Sequence, residues 1–349
     1  MAGPIELDVA LLNGFTFDCR PDCGLCCFAG PAVTAAEAPR LIQLADASAI
    51  LEGPGGLGHL REQGNGGGCL FLEEHRCRAH PVRPFPCRSF PISVHLGVRA
   101  QATLVLSCPG LAAPGLDRWA RSGPGSQDPV GLAAELAAVR SELRAGWVAR
   151  SLETHRRKWA EGDSSGLGET ALEEARDRLR HDRPGPEEFP FPPPGPPRLV
   201  DGISTLPIYF EQNVGVVGIA SGETGLDLWK LSERGQPPIP LGPFDPGGVP
   251  PRLAGEARGL LDRYLDYLLA RDATFWIAAA GKGRRTPASL RDRVRADLAL
   301  FGSRVLVRAL IRRRFRGGAD DPLEYGDLLL GIQATDAEFL DRPGLGRLL

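Results

Sequence analysis

The chain has 349 residues, 42% of them hydrophobic and 24% charged, with a formal net charge of −2. Such a composition belongs to an ordinary globular protein, long enough for a sizeable core and for two domains. It argues against a general nucleic-acid binder, which carries basic excess or a basic face.

The opening residues, MAGPIELDVALLNG, lack a basic start, and Glu6 and Asp8 interrupt the apolar run, so they do not read as a secretory leader. No stretch approaches the roughly 20 apolar residues that a spanning helix needs. A cytoplasmic chain is expected, where thiols stay reduced. All eight cysteines lie between Cys19 and Cys108, and this asymmetry is the clearest boundary in the sequence. A helix is expected over 34–52, with Thr34 and Glu37 as a capping box and Leu41, Leu44 and Ile50 as apolar positions. The glycine-rich run EGPGGLGHLREQGNGGGC then connects an early to a late cysteine group. SVHLGVRAQATLVLSC reads as strands turning at Gly97.

From 128 to 181 the pattern is helical and charged. PGPEEFPFPPPGPPRLV is too rich in proline for a helix or a central strand and reads as a stiff linker or an extended strap. ISTLPIYFEQNVGVVGIASGETGLDLWKL suggests two or three strands turning at EQN and SGETG. Its glycines fit a hairpin better than a nucleotide-binding turn, because no βαβ unit surrounds them. The last hundred or so residues return to helix, in GEARGLLDRYLDYLLARDATFWIAAA and SLRDRVRADLALFGSRVLVRALIRRRF. The arginines of RALIRRRF are expected on a solvated helix face near a C-terminus, where positive charge suits the dipole. Tyr209, Trp229, Tyr264, Tyr267 and Trp276 are expected in the core or at an interface. The fold class is α+β: a small cysteine-rich domain (1–112), a helical segment (113–183), a proline-rich strap (184–198) and a mostly helical C-terminal region with a short β-meander (199–349).

The cysteines are spaced Cys19-x3-Cys23-x2-Cys26-Cys27, then Cys69-x7-Cys77-x9-Cys87, then Cys108. A C-x-x-C turn such as Cys23 to Cys26 lets two thiolates reach one metal while backbone amides hydrogen-bond to the sulfurs. Cys26 and Cys27 are adjacent, with Cα atoms only ~3.8 Å apart. Their side chains are expected to diverge and to serve two metal atoms. Helical spacing at 19, 23, 26 and 27 offers an inert packing alternative, but Pro21 and Gly24 weaken it. Disulfides lack the secretory setting they need. All eight cysteines are therefore candidate metal ligands. His75 and His80 are candidate nitrogen ligands or, like Arg83 and Arg88, groups packed behind the ligands. An arginine there offsets thiolate charge; the alternative is that Arg83 and Arg88 pair with Glu73, Glu74 or Asp22.

CRPDCGLCC, CLFL, CRAHPVRPFPCRSFP and the final SCPG together resemble the YkgJ-type cysteine-cluster family of zinc- or iron-chelating proteins. The resemblance runs from Phe17 to Gly110 and includes Cys23, Cys26, Cys27, Cys69, Cys77, Arg83, Pro84, Cys87, Arg88 and Pro91. Cys19 sits one residue out of pattern, and Ala79-His80 replaces the usual Ile-Tyr. The broad grouping includes flagellin lysine N-methylases, which are iron–sulfur proteins. The resemblance thus implies an iron–sulfur cluster, [4Fe–4S] first, with zinc or iron ions as the alternative. It implies either a redox or methyl-transfer enzyme or a non-catalytic metal-chelating or structural-metal protein. An unidentified protein partner is compatible with either; a membrane or nucleic-acid partner is not expected.

Overall fold

The structure is a computed structural model that describes residues 5–18, 25–27, 30–52, 58–63, 69–74, 76–96, 99–108, 110–111, 131–144, 169–191, 199–200, 203–210, 213–221, 226–231, 239–245, 247–280, 289–315 and 322–336. The fold is α+β with a mostly helical C-terminal part. Strand β1 (Leu7–Asp8) leads into the cysteine-rich region, where β2 (Ala32–Val33), β3 (Ile50–Glu52) and β4 (Gly58–Leu60) form a three-stranded sheet in the order β2-β4-β3. Between β2 and β3 lie a short helix, α1 (Ala38–Ile42), and a 3-10 turn, Ala47–Ala49. The helix expected over 34–52 is therefore cut short. Asp46 accepts the Ser48 amide at 2.7 Å, which turns the chain, and Ile50–Glu52 pairs with β4 instead. That partner strand comes from the glycine-rich connection, whose alternating Gly58-His59-Leu60 was legible only as loop.

The hairpin of β5 (Leu72–Glu73) and β6 (Arg76–Cys77) follows, then helix α2 (Phe85–Ser89). The expected hairpin forms from β7 (Ile92–Leu96) and β8 (Ala100–Leu104), with Ile92 opposite Leu104; Gly97 itself lies outside the described residues. β1 adds to the far side of β8 in parallel, but only at Ala100 and Gln101. The strand segment at Phe17–Asp18 bridges to 110–111, with the Asp18 amide 2.9 Å from the Gly110 carbonyl. A Cβ on Gly110 would stand 2.5 Å from the Asp18 carbonyl, and Gly131, at φ +82°, presses on the Phe17 carbonyl in the same way. Only glycine allows this approach.

Helix α3 (Ala133–Glu142) and α4 (Glu169–His181) realise parts of the helical stretch. The proline-rich segment is a strap where it is described. Phe189 lies against Gly302, and the Pro190 carbonyl accepts from the Ser303 hydroxyl. A meander of five antiparallel strands follows: β9 (Leu199–Val200), β10 (Ile203–Phe210), β11 (Asn213–Ser221), β12 (Leu226–Leu231) and β13 (Ile239–Phe244); the stretch 203–231 forms three of them, as expected, and β9 and β13 extend the sheet on either side. The glycines of GVVGIAS lie within β11.

Four helices end the described chain: α5 (Gly255–Ala270), α6 (Asp272–Ala280), α7 (Leu290–Phe315) and α8 (Tyr325–Asp336). α5 and α6 were expected as one helix. They break at Arg271, whose extended backbone sends its side chain into the core. Tyr264, Tyr267 and Trp276 are core residues as expected; the side chains of Tyr209 and Trp229 lie outside the described residues. The expectation for RALIRRRF is overturned. Arg308, Arg312 and Arg313 are buried, because α8 packs on this end of α7 and Asp327 meets Arg312. No described helix is long and apolar enough to cross a membrane.

The largest apolar cluster runs through both ends of the chain, from Leu12 and Leu104 to Tyr264, Leu298 and Ile332. A second, small cluster belongs to the cysteine region: Cys27, Val33, Leu41, Leu60, Cys69, Phe71 and Ala79.

Candidate metal centre

Six of the candidate cysteines can be followed, and all six are free thiols: Cys26, Cys27, Cys69, Cys77, Cys87 and Cys108. Cys19, Cys23 and His75 lie outside the described residues. Cys26 and Cys27 occupy a single 3-10 turn, Leu25–Cys27. The Cys27 carbonyl accepts the Cys69 amide at 2.6 Å, which fixes the early cysteine group to the late one. Gln63 holds the other side of Cys69: its amide nitrogen donates to the carbonyls of Cys69 (3.2 Å), Leu70 (3.4 Å) and Leu72 (2.6 Å). Cys77 sits across the β5–β6 hairpin from Leu72, and α2 carries Cys87.

Cys26 and Cys27 have their sulfurs 4.0 Å apart. Two thiolates on one tetrahedral zinc, with bonds of about 2.3 Å, stand roughly 3.8 Å apart. Adjacency therefore does not force the pair onto two metal atoms, contrary to the reading from the sequence. A 3-10 turn brings neighbouring side chains to one side more closely than an extended backbone does.

The electrostatics show one interacting group of thiols. Cys27 hydrogen-bonds to the sulfurs of Cys26 and Cys77, so its own proton is held and its pKa is pushed far up. The same bonds lower Cys26 and Cys77, the latter to about 7, with help from the Ala79 amide and the Arg83 guanidinium. Burial raises Cys69 to about 11, against the Phe71 amide, which donates to its sulfur. Cys87 is raised by burial and by the neighbouring sulfurs of Cys26, Cys69 and Cys77. Five thiols thus feel one another. In two of them, Cys69 and Cys77, the sulfur accepts the amide two residues further on. This is the arrangement that stabilises a metal-bound thiolate.

Arg83 acts on the sulfurs of Cys26, Cys77 and Cys87 and donates to His80 Nε2 at 3.1 Å; His80 itself is exposed. Arg88 pairs with Glu37 at 3.1 Å, while Glu73 takes Arg78. Neither Arg83 nor Arg88 makes a described pair with Glu73 or Glu74, and Asp22 lies outside the described residues. Glu37 does more than cap its own turn. Its carboxylate accepts from the Thr34 amide (3.1 Å) and hydroxyl (2.9 Å), and also from the Phe85 amide (2.8 Å) at the start of α2. The capping-box spacing disclosed the first two contacts. Nothing in the spacing disclosed the third, which spans 48 residues.

Cys108 belongs to a different environment. It is buried in the large core, at the end of a turn closed by its amide on the Val105 carbonyl at 3.0 Å. The chain leaving it runs beside Phe17–Asp18, the chain that enters Cys19.

Among the described residues, no group of three or more Cys, His, Asp or Glu side chains is placed so that it could hold a metal ion. The donor chemistry nevertheless fits a thiophilic metal: crowded thiols, amide donors to sulfur and a compensating guanidinium. No curated protein and no solved structure matches the chain. Residues 18–109 match one family model, CxxCxxCC, described as "Putative zinc- or iron-chelating domain". The matched segment coincides within a residue at each end with the block that carried the resemblance, and over these residues the chain is similar to that family.

Proposed function

We propose that the CxxCxxCC domain holds an iron–sulfur cluster on cysteine thiolates, in a redox or methyl-transfer protein. The ligands come from Cys19, Cys23, Cys26, Cys27, Cys69, Cys77, Cys87 and Cys108. The observation that carries this reading is the mutual influence of five thiols, Cys26, Cys27, Cys69, Cys77 and Cys87, enough for the four that one cluster takes. Arg83 and the amides of Phe71 and Ala79 support it, because cation charge and hydrogen bonds to sulfur tune such clusters. A cluster here supplies one-electron chemistry. The protein's part is to fix the thiolates, offset their charge and shield them from water.

A second reading, structural or chelated zinc or iron ions without catalysis, draws on the 4.0 Å separation of the Cys26 and Cys27 sulfurs. It also draws on the small size of the apolar cluster around Cys27 and Cys69, which a metal would reinforce. Purification without oxygen, with elemental analysis and a visible spectrum, separates the two. Brown protein containing iron and acid-labile sulfide is expected. Colourless protein with stoichiometric zinc would overturn the cluster and establish the second reading.

A further inference from the structure

We infer that Tyr267, Arg271 and Asp336, from the C-terminal helices, are positioning residues for Cys108 and so form part of the scaffold of the metal centre. The inference rests on the reading of Cys108 as a ligand. Its basis is the outer edge of β8. β1 pairs with that edge only at Ala100 and Gln101. Beyond, the main chain is buried in the core, where an unpaired amide or carbonyl is costly. Side chains from the far end of the sequence replace the missing strand. The Tyr267 hydroxyl accepts the Leu104 amide at 2.8 Å, Arg271 Nη2 donates to the Leu104 carbonyl, and Asp336 Oδ2 accepts the Leu106 amide at 2.5 Å.

The three side chains also hold one another. Arg271 Nη1 meets Asp336 Oδ1 at 2.6 Å, and the guanidinium lies 4.5 Å over the Tyr267 ring. Tyr267 and Asp336 are fully buried, Arg271 nearly so. At the other end of β8, Gln101 accepts the Asp272 amide at 2.8 Å and donates to the Ala270 carbonyl at 3.1 Å. The α5–α6 junction therefore grips the strand at two points. The gripped residues, 104–106, lead directly into the turn that closes from Val105 to Cys108. A buried ion pair is a poor choice for stability alone, since apolar residues of similar volume serve as well or better. Bound to main-chain groups on both sides, it fixes where the turn and its thiol lie.

The test uses the full-length protein as purified. Metal loss to excess 4-(2-pyridylazo)resorcinol, a chelator that reads zinc and iron, is timed for Tyr267→Phe, Asp336→Asn, Cys108→Ser and Tyr267→Phe/Cys108→Ser. Tyr267→Phe removes one hydroxyl and keeps the ring, so it guards against the case in which Asp336→Asn does not fold. Release about 10-fold faster is expected for Tyr267→Phe, the usual scale for groups behind a ligand. Cys108→Ser should be faster too, and adding Tyr267→Phe to it should change nothing further. A merely structural role would give the same extra loss in both backgrounds and would overturn the inference, as would wild-type release from Tyr267→Phe beside an accelerated Cys108→Ser. If Cys108→Ser itself releases metal at the wild-type rate, the ligand reading of Cys108 falls, and the inference falls with it.

Discussion

Replacing Glu37 by alanine tests how the cysteine region is held together without reference to any metal. The carboxylate is 16% exposed and has four acceptor contacts: two on Thr34, one on the Phe85 amide and one on Arg88. Loss of the cap on the Phe85 amide costs about 1 kcal/mol. The two contacts within the turn contribute about 0.5 kcal/mol each, since water replaces them in part. The pair with Arg88, whose side chain is 43% exposed, adds at most about 0.5 kcal/mol after solvent screening. Opening of α2 breaks the contacts to Phe85 and Arg88 and leaves those to Thr34 in place, so it should become easier by about 1.4 kcal/mol, or roughly 10-fold. Amide hydrogen exchange at Phe85 and alkylation of Cys87 in the full-length chain both read this opening. Glu37→Gln keeps an acceptor for the amide and should fall between, at roughly 3-fold. Exchange at Phe85 within twofold of wild type in Glu37→Ala would refute the claim that Glu37 anchors α2.

Gly302→Ala would place a Cβ 2.2 Å from the Phe189 ring; thermal unfolding should show a loss of about 1–3 kcal/mol, relieved when Phe189→Leu is added. Asp272→Asn takes from the buried Arg176 guanidinium the charge of the carboxylate 2.6 Å away and leaves it Glu173. A denaturant titration should show a cost of about 2 kcal/mol, the scale of one hydrogen bond between charged groups, whereas the apolar double replacement Arg176→Met/Asp272→Leu should come closer to neutral. Stripping the metal with a chelator under nitrogen should expose residues 25–90 to limited proteolysis while α5 and α7 stay protected; unchanged cleavage would argue that metal has no part in holding that region.

The sequence disclosed elements wherever a local signal coincided with a local cause. α4, α7 and the β7–β8 hairpin follow from periodicity, and the partial strap from its prolines, because each answers to its own residues. Reading failed where a distant partner decided the outcome. The 34–52 helix was lost to a pairing with β4, whose residues carry little apolar content. The single helix expected over 255–280 breaks so that Arg271 can reach Asp336 and the β8 main chain. The arginines of RALIRRRF look like a solvated face until α8 and Asp327 cover them. Of the site, composition and spacing named the thiols. They could not give the 4.0 Å approach of Cys26 to Cys27, which depends on a 3-10 turn, nor the reach of Gln63 and Glu37.

Five of the six thiols that can be followed divide between two cores, and the division bears on why the domain comes with so long a C-terminal part. Cys27 and Cys69 are buried in the small cluster, with Cys26 and Cys77 packed against it, whereas Cys108 is buried in the large one. A core of seven buried residues, two of them cysteines, gives little hydrophobic stabilisation of its own. It is tied to the rest of the chain by directional contacts such as Glu37 to the Phe85 amide, while within the large core Tyr267, Arg271 and Asp336 grip 104–106. A metal centre that drew on both groups of thiols would join the two cores through its bonds, and each would limit the other's freedom. The helices from 255 to 336 would then serve the centre without touching it, by holding still the strand that leads to its last cysteine.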